Sequence, residues 1–116
     1  MVKVEIYYDG NQVKGFVAKG HAKTAPAGED LVCAGISALT QTALLGLDAF
    51  LSIKPIWKID DNGYLECWLP EGLTEADLKT ADVLIQTLEL GLKSMEIGYG
   101  QYLKVSKRRW TKCCSK

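Results

Sequence analysis

The chain has 116 residues, 47% of them apolar and 24% charged, and its 14 Lys and Arg balance 14 Asp and Glu. This length supports one domain with one core, and a net charge of zero argues against a nucleic-acid partner, because phosphate contacts call for a basic excess. No run approaches the roughly 20 apolar residues of a membrane span, and four cysteines without framework spacing, beside one histidine, offer neither a disulfide scaffold nor a metal site.

Val2, Val4, Ile6 and Tyr8 alternate with Lys3, Glu5 and Tyr7, which predicts a strand and lacks the layout of a secretory signal. The expectation is a cytoplasmic protein with no membrane partner. Asp9-Gly10-Asn11 is turn chemistry, and residues 13–19 read as the hairpin partner, with Gly15 weakening one position. Residues 20–29 form a loop, since Gly20, Thr24, Pro26 and Gly28 all oppose regular structure. Asp30 then caps a long helix with its side-chain oxygen. Leu39, Ala43, Leu47, Phe50 and Leu51 recur at helical spacing to about residue 52, ahead of Pro55. Its first turns are small: Ala34, Gly35, Ser37, Ala38.

A second hairpin is predicted around Asp60-Asp61-Asn62-Gly63. On its second strand Leu65, Cys67 and Leu69 share a face, which makes Cys67 a small buried hydrophobe. Thr74 starts another helix with Asp77 three residues on, close to a capping box. Leu78, Ala81, Ile85, Leu88 and Leu92 give it an apolar stripe up to Gly98, and residues 99–105 make a last strand. The order β-β-α-β-β-α-β predicts an α+β domain over residues 1–107, with two long helices packed on a single mixed or antiparallel sheet. Residues 108–116 are read as a basic tail, within a cluster of Lys104, Lys107, Arg108, Arg109, Lys112 and Lys116. Cys113 and Cys114 in that tail are exposed bystanders rather than ligands.

One segment carries chemistry: Gly20-His21-Ala22, then Gly28, Asp30, Cys33 and Ser37. A free thiol is only a few per cent thiolate at neutral pH. The first turn of a helix, with unpaired N–H groups and a positive dipole end, favours the thiolate, and Cys33 falls at about the third residue of the expected helix. An imidazolium in reach would favour it further, and the intervening loop is long enough to fold back and bring His21 to Cys33. Backbone N–H groups there are candidate donors to the oxyanion of a tetrahedral intermediate. Ser37, four residues on, shares the face of Cys33. An N-cap role is enough to explain Asp30, and whether it also orients His21 stays open. Residue types and spacing leave the plain alternatives open: a core cysteine, a surface histidine, a packed serine.

The same residues carry a resemblance. The pattern Gly20-His21-Ala22, Gly28, Asp30, Val32-Cys33-Ala34 and Ser37 resembles the ribosomal-processing cysteine protease (Prp) family, and the element order is similar along nearly the whole chain. That resemblance implies a cofactor-free bacterial endopeptidase that removes the N-terminal extension of large-subunit ribosomal protein twenty-seven. Cys33 would be the nucleophile, His21 the general base, and Asp30 and Ser37 supporting residues. It also implies a substrate with a hydrophobic, aromatic-rich stretch before the scissile bond, a loop that gates the site, and a homodimer. Gly20, Ala22, Pro26 and Gly28 give the loop a gate's composition, without bulky side chains. Two other readings stand beside it. One is a non-catalytic ribosome-associated factor that binds ribosomal protein or rRNA, and the other is a thiol redox sensor, which would need a resolving cysteine.

Overall fold

The computed structural model describes residues 1–20, 27–60 and 63–111, with backbone alone for 27–29. Strands β1 (Val2–Asp9) and β2 (Gln12–Lys19) precede helix α1 (Ala27–Phe50). Strands β3 (Ile56–Asp60) and β4 (Tyr64–Trp68), helix α2 (Glu75–Tyr99) and strand β5 (Leu103–Arg109) complete the order. The strands form one mixed sheet in the order β3-β4-β2-β1-β5, antiparallel except for the β1/β5 pair. The predicted order and class hold.

Strand alternation puts Val2, Val4, Ile6, Phe16, Ala18, Leu65, Cys67, Leu103 and Val105 on one face of the sheet. All are buried, together with Val32, Cys33, Ile36 and Leu47 of α1, Leu51 just after it, and Ala81, Ile85, Leu88 and Leu92 of α2. The helices run antiparallel over this face. Gly35 approaches Met95, Gly91 approaches Leu39 and Gly46 approaches Leu84, so missing side chains let the two backbones come close.

The other face gathers around Glu5. Its side chain, only 10% exposed, pairs through the carboxylate with Arg108 at 2.9 Å and Lys19 at 3.2 Å. Trp68 donates to Glu66 at 2.9 Å and packs its ring 5.0 Å from Tyr7. It lies over Gly15, where a Cβ would collide with the Cys67 carbonyl and come within 2.7 Å of Trp68 Cε3. Gly15 is therefore no weak point of β2. It is the residue that lets the indole cross the strand.

Several boundaries differ from expectation. Helix α1 begins three residues before Asp30, helix α2 continues through Gly98 to Tyr99, and β5 starts at Leu103. Arg108 and Arg109, read as tail, are in β5 and pair in register with Tyr7 and Tyr8 of β1. Residues 112–116 lie outside the described residues. The expectation about membrane spans also needs correction. The stretch Asp30–Phe50 is long and apolar enough to cross a bilayer by length and composition, but a core helix meets the same test, and its face of Val32, Ile36 and Leu47 is buried in the core.

The cap on α2 is as read. Thr74 accepts from the Asp77 N–H at 3.1 Å, and Asp77 accepts from the Thr74 N–H at 3.4 Å. Asp77 also accepts from the Ser52 hydroxyl and, at 3.2 Å, from the Ser52 N–H. The Ser52 bonds chiefly, then those of Thr74, hold the Asp77 carboxyl below the usual range. One residue thus caps α2 and ties it to the end of α1. Thr74→Ala is expected to cost about 1 kcal/mol, read as a lower urea midpoint with an unchanged m-value.

Candidate active site

Cys33 is the seventh residue of α1 and 7% exposed. Helix geometry gives the N–H groups of the first four residues, Ala27 to Asp30, no partner inside the helix. The amide of Cys33 lies inside the helical ladder, so the donors that the ladder leaves over are those of the preceding turn. Helical side chains lean back toward the N-terminus, which directs the sulfur toward that turn. Asp30 is inside the helix rather than at its N-cap, exposed, in a first turn where a carboxylate complements the dipole.

At 100° per residue, Asp30, Cys33, Ser37, Gln41, Leu44 and Asp48 share one flank of α1. The opposite flank, with Gly35, Leu39 and Gly46, faces α2. Ser37 is half-buried, four residues from Cys33 on that flank. Its carbonyl accepts from Thr40 Oγ1 at 3.3 Å, and the same hydroxyl donates to the Ile36 carbonyl at 2.8 Å. Thr40, 1% exposed, and Glu89 are buried polar residues that the sequence did not single out. For Thr40, its place on the apolar face was the available signal.

His21, Ala22 and Pro26 lie outside the described residues. Gly20 and Gly28 frame them differently than expected. Gly28 is in the first turn of α1 rather than in a loop. Gly20 has φ 102°, and a Cβ there would collide with the Met1 carbonyl. Only glycine turns the chain out of β2 at that point, directly before His21. No group of His, Cys, Asp and Glu among the described residues can hold a metal ion.

Cys67 is inaccessible, and burial pushes its thiol up to about 12. Burial first, then Glu66, pushes the Tyr64 phenol up to about 12 as well. Both groups stay protonated in the fold where an unfolded chain ionises them, at about 9 and 10. Their contribution to stability is full below those values and is lost as pH rises toward about 12. The urea midpoint is expected to fall through that window. In the native protein, iodoacetamide should leave Cys67 unmodified by mass mapping until the chain is unfolded.

A cavity of about 960 Å³ lies elsewhere, lined by Tyr8, Asp9, Asp82, Glu89, Lys107 and Arg109 among others. It sits at the hairpin end of β1 and β2, whereas Gly35 beside Met95 and Val105 bonded to Glu96 put Cys33 toward the other end of the sheet. Its size reflects an open basin rather than the chemistry. A smaller cavity of about 250 Å³ lies between α1 and β3, on the flank that carries Cys33.

The family model described as cysteine protease Prp matches residues 1–104. The ribosomal processing cysteine protease Prp of Bacillus subtilis (strain 168) is 32% identical over 95 residues, 81% of this chain and 85% of the relative. The Staphylococcus aureus (strain Mu50) protein of the same name is 26% identical over 110 residues, 91% and 98% of the two chains. The fold is similar to that of the S. aureus ribosomal processing protease Prp in crystals with a covalently linked product peptide. The TM-score there is 0.76 at 25% identity, over 93% of this chain and all of that one. A crystal structure of the S. aureus protease with a substrate peptide gives 0.79 at 24% identity and the same coverage. With the match running through both hairpins, both helices and the start of β5, this chain belongs to the cysteine protease Prp family.

Proposed function

We propose that this cysteine protease removes the N-terminal extension of large-subunit ribosomal protein twenty-seven, with Cys33 as nucleophile and His21 as general base. The observation that carries the reading is Cys33 itself. Of the two described cysteines, it is the one on α1, one turn past the amides that the helical ladder leaves over, while Cys67 is sealed in the core as a neutral thiol. His21 comes directly after Gly20, where the chain leaves the sheet. A product peptide covalently linked to the S. aureus relative supports a covalent intermediate in the family.

His21 takes the thiol proton as Cys33 attacks the peptide carbonyl, forming the carbon–sulfur bond and a tetrahedral oxyanion. Amides at the start of α1, upstream of Cys33, are the donors available to that oxyanion. The carbon–nitrogen bond breaks with His21 protonating the leaving amine, and water then hydrolyses the thioester. Ser37 and Asp30 support the site from the same flank of the helix. Gly20, Ala22, Pro26 and Gly28 belong to the segment that admits the peptide. The protein works in the cytoplasm as a homodimer, a reading that rests on the family pattern and is checked by sedimentation.

The test is a peptide that copies the extended N-terminus of the ribosomal protein from the same organism, with cleavage read by mass spectrometry. One cleavage is expected, abolished by His21→Ala. Cleavage of unrelated peptides at the same rate would sink the substrate assignment.

A further inference from the structure

Strand β5 is one edge of the sheet, with β1 as its one neighbouring strand among the described residues. An edge strand turns the N–H and C=O of every second residue outward, where another strand can pair with them. The register says which residues these are. Val2 donates to the Tyr102 carbonyl and Trp110 donates to the Tyr8 carbonyl, so the even-numbered residues beside β1 turn their backbone groups toward it. Leu103, Val105, Lys107 and Arg109 therefore turn theirs away. Both groups of Val105 are taken by side chains of α2. Its N–H donates to Glu96 Oε2 at 2.8 Å, and its C=O accepts from Lys93 Nζ at 3.5 Å. Lys93 and Glu96 are three residues apart, which puts them on one face of α2. The carboxylate and the ammonium offer Val105 the acceptor and the donor that a sixth strand would bring. The far edge is covered differently. Trp57 of β3 pairs with Cys67 and stands on the helix side of the sheet. It faces Gln41 and Leu45 of α1 across the cavity of about 250 Å³, side chain against side chain.

We propose that Lys93 and Glu96 form a clasp that shuts the β5 edge against pairing with a second copy of the chain. The second copy is the occupant excluded because this edge can pair with itself. An antiparallel, two-fold arrangement centred on Val105 sets Leu103 opposite Lys107, and the outward groups of all three residues then find partners. The central pair of that ladder is Val105 with its copy, whose bonds the clasp occupies. Lys104 and Arg108 lie exposed on the same strand and repel their copies across such a pairing, but salt screens that repulsion. The hydrogen bonds of the clasp persist in salt, so the clasp is the guard that matters at high ionic strength. This inference stands apart from the protease reading and does not use Cys33.

The experiment is sedimentation of the full-length chain over a range of concentrations in about 0.5 M salt, where charge is screened. Wild type should hold one association state throughout. Glu96→Ala should gain a species of twice that mass, in a fraction that rises with concentration. Glu96→Gln keeps an acceptor for the Val105 N–H and should behave as wild type. Adding Lys107→Pro to Glu96→Ala removes an outward N–H from the same edge, at an exposed residue, and should suppress the gained species. Amide exchange reads the clasp directly, with Val105 exchanging roughly tenfold faster in Glu96→Ala than in wild type. A Glu96→Ala protein that melts like wild type and keeps its mass at every concentration overturns the proposal. So does a gained species that survives Lys107→Pro, because the copies then meet through another surface. Should Glu96→Ala not fold, Lys93→Ala takes its place in the sedimentation series with the same two outcomes. In wild type itself, a Val105 amide that exchanges as fast as that of Lys107 also overturns the clasp.

Discussion

Cys33→Ala is expected to lower peptide hydrolysis by about four orders of magnitude or more, as loss of a covalent nucleophile does. Cys33→Ser should be nearly as inactive, because a serine hydroxyl does not ionise near neutral pH and His21 alone does not make it a thiolate's equal. Both variants should still bind the peptide, measured by anisotropy of a labelled copy, since each exchange alters the nucleophile and not the surface around it. Cys33 is almost fully buried, so thermal melts must accompany the kinetics to separate lost chemistry from lost fold. Cys67→Ala is the matched control. It removes a buried thiol from β4 instead of α1 and should keep turnover. If Cys33→Ala melts like wild type and still cleaves, the mechanism is wrong.

Gly15→Ala, one methyl group in the middle of β2, is expected to destabilise the domain by about 2–4 kcal/mol or to prevent its accumulation. The added carbon meets a backbone carbonyl, that of Cys67, as well as the Trp68 ring. Side-chain repacking relieves only the second contact, so Trp68→Ala should not rescue the variant. Gly98→Ala is the counterpart. A Cβ there has no neighbour within 4 Å, and the residue sits inside α2. The exchange should stabilise by up to about 1 kcal/mol by restricting the unfolded chain. Opposite signs for two Gly→Ala changes, read from urea melts, would confirm that the sheet rather than glycine as such sets the cost. A neutral Gly15→Ala would show that β2 and β4 separate more freely than their pairing implies.

Much of this architecture was legible from local chemistry. Alternation in residues 2–8, the Asp9-Gly10-Asn11 turn and the Thr74/Asp77 pair each act within a few residues, so the chain announces them. Helix ends were less legible. Gly98 and Gly28 suggest breaks by propensity, yet both are helical, because a terminal turn costs little once the helix is anchored. The extension of α1 past Asp30 also moved Cys33 from the third helical residue to the seventh.

The sequence by itself determined the element order, the capped second helix, the buried character of Cys67 and the family pattern around Cys33. Those depend on short-range spacing and on motif. Tertiary structure alone decided that Trp68 crosses Gly15, that Asp77 binds Ser52, and that Trp57 faces the helix flank bearing Cys33. Each joins residues from separate elements, and only the packing of the sheet against two helices, not any period along the chain, brings them together.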